Sequence, residues 1–125
     1  DPDNLDTLRI RFTNDAPGIR YWAITGCFLL NDRLGAMKVL NDASHEVRAM
    51  AAWTLIKTGE VEKGKKVLEE LLLDNSYATL KVLNIIDWMG DEGESLMETV
   101  RALELSPDSQ NYEIRMQEAL IEKWG

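Results

Sequence analysis

A short phrase returns along this chain, and no other feature limits the possible folds as tightly. It first reads Asn14-Asp15-Ala16-Pro17-Gly18-Ile19-Arg20-Tyr21-Trp22-Ala23. It comes back as Asp42-Ala43-Ser44-His45-Glu46-Val47-Arg48-Ala49-Met50-Ala51. Looser copies run Asn75-Ser76-Tyr77-Ala78-Thr79-Leu80-Lys81 and Ser109-Gln110-Asn111-Tyr112-Glu113-Ile114-Arg115-Met116. Each copy sets a short polar residue five positions before an aliphatic residue and six before a base. The bases Arg20, Arg48, Lys81 and Arg115 are spaced by 28, 33 and 34 residues. In an otherwise helical sequence, that interval belongs to two-helix repeats.

Each part of the phrase has a local reason. Asn14, Asp42, Asn75 and Ser109 carry side chains that accept hydrogen bonds from the free amides opening a helix. Pro17 suits a first turn, where its missing N–H costs nothing. Ile19, Trp22, Ala23, Gly26, Cys27 and Leu30 fall at helical spacing, as do Val47, Met50, Ala51, Leu55 and Thr58. Small residues at Ala23, Gly26, Ala51 and Ala52 permit close approach of neighbouring helices. Asn31, Gly59, Gly90 and Gly125 lie nine to eleven residues past each base, where Asn or Gly suits a left-handed cap. Shorter amphipathic segments lie between, marked by Leu5, Leu8 and Phe12, by Leu34 to Leu40, by Val61, Val67, Leu68, Leu71 and Leu72, and by Leu96, Val100 and Leu103. No polar/apolar alternation flanks a hairpin turn. The expected fold is therefore all-α, with helices at 4–13 and 16–30, 33–41 and 44–58, 60–73 and 76–89, and 93–105 and 111–124. Leu80, Val82, Leu83, Ile85, Ile86, Trp88 and Met89 predict a helix buried on most sides, with Asn84 bonding a backbone group or a neighbouring repeat.

The 125 residues suit a single domain, 1–125, and no run reaches eighteen apolar residues, so membrane insertion is not expected. Asp1-Pro2-Asp3-Asn4 shows neither an initiator Met nor a signal-peptide pattern, and the chain is expected to be a piece of a larger protein. The formal charge of −8 argues against nucleic-acid partners. The excess is local. Residues 87–113 hold eight acids against Arg101 alone, whereas residues 1–86 hold 12 acids and 11 bases. In Asp87-Trp88-Met89-Gly90-Asp91-Glu92-Gly93-Glu94, Met89 stands at the third ligand position of a calcium loop and Glu92 at its turn glycine, so no calcium site is expected.

The Asp-x-x-x-x-Val-Arg spacing and the small residues after it resemble HEAT-type helical repeats. That resemblance implies a right-handed α–α superhelix of about four hairpins, in which the turn acid and the Arg of successive repeats form a ladder. Asp42 with Arg48 match best, then Asn14 with Arg20; Asn75 with Lys81 and Ser109 with Arg115 keep the spacing and weaken the acid. A narrower resemblance, in residues 16–27 and 46–53, is to the helical segment that follows the catalytic domain in bacterial sulfatases of the heparan N-sulfatase type. It implies a non-catalytic accessory domain, a periplasmic or secreted setting, and as partner the catalytic domain of the same chain. The alternative is a free-standing HEAT-like adaptor binding a protein or peptide.

The chain's own chemistry is sparse, and neither catalytic residues nor a cofactor or metal site are expected. Cys27 lacks the sulfatase nucleophile motif and reads as a small core residue. His45 is the only histidine. It opens a helix beside Glu46, one His–Glu pair where the di-iron site of HEAT-like deoxyhypusine hydroxylases needs several. HEAT-like DNA glycosylases need a basic groove, against the charge here. No phosphate-cradling glycine loop occurs. The family's inner helices line a concave surface, which nominates Tyr21, His45 and Trp53 for partner contact. The outer candidates for a docking face are Leu5, Leu8 and Phe12 at one end and Trp124 at the other.

Overall fold

The computed structural model describes residues 2–74, 78–105 and 111–124. Among them every regular element is helical. The chain enters as α1 (Pro2–Ile10), runs through a 3-10 turn at Arg11–Thr13, and continues as α2 (Pro17–Leu29), α3 (Arg33–Lys38) and α4 (His45–Lys57). Then come α5 (Val61–Leu73), α6 (Thr79–Trp88), a 3-10 stretch at Gly90–Leu96, α7 (Met97–Ala102) and α8 (Asn111–Trp124). Contacts divide the chain into two compact units, residues 1–68 and 69–125, with α5 running through the division.

In the first unit, α2 lies along α4, α3 packs on both, and α1 lies on α2. Its core joins Leu8, Ile24, Cys27, Ala36, Val39, Val47, Met50, Ala51 and Leu55, with Phe12, Tyr21, Phe28, Leu40 and Trp53 packed around them. Leu8 fills the notch at Gly26: its methyl carbons stand 2.9 Å from where a side chain there would begin. Gly64 lies under the Ala52 carbonyl in the same way, at 2.5 Å.

The backbone of this unit repeats itself in a 28-residue register. Asn14 Oδ1 accepts from the Ala16 amide at 2.9 Å, and Asp42 Oδ1 accepts from the Ser44 amide at 2.8 Å. Pro17 and His45 open α2 and α4 one residue later. The helices close alike. The Asp32 amide donates to the Cys27 carbonyl at 2.9 Å, and the Glu60 amide to the Leu55 carbonyl at 2.8 Å, the long closing bond of a Schellman cap. Between them Asn31 and Gly59 take the left-handed turn, at φ 57° and 107°. The next helix starts with Ala36 donating to Asp32 and Gly64 to Glu60, both at 3.1 Å. Asn14 and Asp42 thus form Asx turns two residues ahead of the cap position, which belongs to Ala16 and Ser44.

In the second unit, α6 and α7 pack on α8, and Gly90–Leu96 packs on α6 and α7. Gly90 takes the left-handed turn expected of it, at φ 68°. Gly93 sits against the Ile86 carbonyl, with the Trp124 ring 3.2 Å from the place of a side chain. Gln117 Nε2 donates to the carbonyls of Val100 and Leu103, at 2.9 and 3.0 Å, satisfying the end of α7. The expected residues Asn75, Ser109 and Gly125 lie outside the described part.

Several expectations about faces need correction. On α2 the buried residues are Ala23, Ile24 and Cys27, while Ile19 and Leu30 are exposed and Trp22 is 60% exposed. This helix is apolar on nearly every side, so spacing alone did not fix which arc meets α4. On α3 the buried residues are the small Gly35 and Ala36, and Leu34 and Met37 face outward. On α6, Val82, Leu83, Ile85 and Ile86 are buried, but Trp88 is 56% exposed. Asn84 is half-buried and lines a surface groove. The long helix expected at 93–105 is replaced by the 3-10 stretch and the short α7.

Candidate functional site

Three constellations bring polar groups together. The first joins the two registered turns. Arg20, on the first turn of α2, donates from Nε to Asp42 Oδ2 at 2.9 Å and from Nη2 to Asp42 Oδ1 at 3.1 Å. Its Nη1 donates to the carbonyls of Asn14 and Asp15, at 2.8 and 3.1 Å. The guanidinium is therefore held by its own turn and presents its fork to the turn one register on. A two-pronged, charge-assisted pair of this kind has both strength and fixed geometry. Arg48, the next base in register, donates from Nε to the Leu40 carbonyl at 3.2 Å.

The second constellation lies at the start of α3. Arg9 Nε donates to Asp32 Oδ2 at 2.9 Å, and its Nη2 pairs with Oδ1. Oδ1 also accepts from the Gly35 amide at 3.1 Å, so one carboxylate caps α3 and ties α1 to it. The Arg9 guanidinium holds the Asp32 carboxyl below the usual carboxylate range, against the opposing effect of burial. Cys27 lies against the same carboxylate. Burial first, and the neighbouring negative charge second, push its thiol up to about 12. A thiol so placed stays protonated at neutral pH and is a poor nucleophile.

The third is a groove of about 400 Å³ between α6 and α8, lined by Leu80 and Asn84 on one side and by Tyr112, Arg115, Met116 and Ala119 on the other. Leu80, Met116 and Ala119 make its floor apolar. Tyr112 is 61% exposed at its mouth.

The residues nominated for partner contact do not converge. Tyr21 and Trp53 are half-buried against the first unit's core, and Trp53 packs on Phe28 with ring centroids 4.3 Å apart. Lys57 closes over the Phe28 ring at 4.0 Å and donates to the Phe28 carbonyl. His45 is half-buried at the opening of α4. Trp124 belongs to the second unit and covers Gly93. Leu8, offered as part of a docking face, is consumed by its contact with Gly26, and Phe12 is half-buried on the same core. Besides Tyr112, the aromatic rings that reach solvent include Trp22 and Trp88, read from the sequence as packing residues. The available signal was an apolar arc on α2 wider than one neighbouring helix can cover.

Among the described residues, no group of three or more His, Cys, Asp or Glu side chains is placed to hold a metal ion, and no helix is long and apolar enough to cross a membrane. No family model, curated protein or solved structure matches the chain.

Proposed function

We propose that this chain is a non-catalytic structural and interaction module, a right-handed stack of about four HEAT-like hairpins serving as an accessory segment of a larger protein. The observation that carries this reading is the 28-residue register of the first unit, in which the same cap hydrogen bonds recur and Arg20 reaches from one turn to the next. Chains built in this way gain stability from neighbouring repeats and present an extended surface. Protonation chemistry supports the same view. The Asp32 carboxylate is spent on tying α1 to the start of α3, and the Cys27 thiol is buried and held protonated. The narrower form, a C-terminal helical part of a sulfatase-like hydrolase with its chemistry in a separate domain, rests on the wording of residues 16–27 and 46–53.

The test is a substrate panel of chromogenic esters, phosphate esters and sulfate esters, run beside thermal melts of the chain and of its Asp42→Ala and Arg48→Ala variants. The expected result is no turnover by any of them and a lower melting temperature for both variants. Turnover by the native chain that disappears in either variant at unchanged melting temperature would overturn the reading.

A further inference from the structure

Along α2 one stripe is open to solvent and carries no charge. Gly18, Trp22, Thr25 and Leu29 follow one another at intervals of four, three and four residues, the spacing of a helix–helix seam. Gly18, Trp22 and Leu29 are exposed, and Thr25 is half-buried. The Thr25 hydroxyl donates to the Tyr21 carbonyl at 2.9 Å, so its hydrogen-bonding need is met within the helix. Arg20 is the one charged residue of α2, and its guanidinium is turned to Asp42.

The register shows what such a stripe does in this fold. One register of 28 residues on, Trp22, Thr25 and Leu29 become Met50, Trp53 and Lys57. Met50 is buried in the first unit's core, Trp53 packs on the Phe28 ring, and Lys57 closes over the same ring. On α4 the stripe therefore meets a neighbouring helix, α2. On α2 itself the same stripe stays bare, with Trp22 and Leu29 60% and 69% exposed.

We infer that this stripe seats a second copy of the chain, whose own α2 lies antiparallel against it across a two-fold axis. The arc of α2 that carries Ile24, Cys27 and Phe28 is already spent on the first unit's core, so a copy meets the stripe with the same stripe. The spacing is self-complementary, as a two-fold contact requires. With the axis passing between Ala23 and Ile24, Gly18 stands opposite the partner's Leu29, and Trp22 opposite the partner's Thr25. Each layer sets a large side chain against a small one. At Gly18 nothing stands within 4 Å of where a side chain would begin, which leaves room for the leucine. No like charges face each other along the seam. One helix pair covers less than the ~800 Å² per partner of a standard interface, so the dimer is weak and reversible. The inference gives the interaction module proposed above a partner, and rests on that reading.

The test is sedimentation velocity of the full chain from micromolar to near-millimolar concentration. The expected result is a reversible monomer–dimer equilibrium with a dissociation constant on the order of 50 μM. Gly18→Lys and Leu29→Glu each bring two charges into an apolar seam and should weaken it about tenfold. Combined in one chain, they set opposite charges across the axis and should recover about three- to fivefold over either single variant. Neither position is packed in the monomer, so all three variants should melt close to the native chain. A native chain that stays monomeric throughout the range overturns the proposal and leaves the stripe to a different partner. A dimer that neither single variant weakens, or a double variant that associates no better than the singles, overturns it too. Energetic coupling between Arg20 and Asp42, measured separately, tests the repeat. A coupled pair in a monomeric chain would remove this inference and leave the proposed function standing.

Discussion

The Asp32 carboxylate accepts from the Arg9 guanidinium and from the Gly35 amide together, so its two tasks can be separated by substitution. Asp32→Asn keeps an acceptor for the cap and loses the charge, for an expected cost of about 1 kcal/mol, whereas Asp32→Ala loses both and should cost about 3 kcal/mol in urea denaturation. The pH dependence follows from the direction of the shift. A carboxyl held below its unfolded value contributes fully above about pH 4 and loses that contribution as pH falls through the lower folded value. The stability gap between the native chain and Asp32→Asn should therefore narrow on acidification below about pH 4. Cys27 gives a second residue-scale expectation. Fully buried and pushed up to about 12, it should be alkylated in the folded chain at under about 1% of the rate seen in denaturing urea. Comparable rates in the two states would contradict the placement of the thiol.

At the scale of elements, much was legible because helix ends are written in single residues. Pro17 opens α2, Ser44 accepts from the Val47 amide to cap α4, and Asn31, Gly59 and Gly90 supply the positive φ that ends helices. The rotation of each helix was harder to read. Trp22 and Ala23 are neighbours on an apolar helix, and only the approach of α4 decides that the alanine goes inside. The pair Arg9–Asp32 was likewise hidden, since 23 residues separate its members and nothing in the repeated phrase includes either. Within the 3-10 stretch at Gly90–Leu96, Gly93 sits against the Ile86 carbonyl, a contact invisible before packing. Glycine packing yields a paired prediction. Gly64→Ala would drive a methyl to 2.5 Å from the Ala52 carbonyl oxygen, and should cost about 2 kcal/mol despite alanine's better helix propensity. Gly18→Ala meets nothing within 4 Å and should gain up to about 0.5 kcal/mol. Thermal melts of the two variants should move in opposite directions.

For the whole molecule, the proposed repeat requires that successive hairpins be tied by equivalent bonds. The charge is unevenly divided between a nearly balanced unit at 1–68, which holds the Arg20–Asp42 and Arg9–Asp32 pairs, and a strongly acidic unit at 69–125. The Arg20–Asp42 pair is the place to test the tie, because both side chains are largely buried and belong to turns one register apart. The most direct measurement is a double-mutant cycle on Arg20→Ala and Asp42→Ala, read by urea denaturation of the full chain. A coupling energy of about 1–2 kcal/mol is the predicted result for a paired, largely buried bidentate contact. Additivity of the two single substitutions within about 0.3 kcal/mol would contradict it.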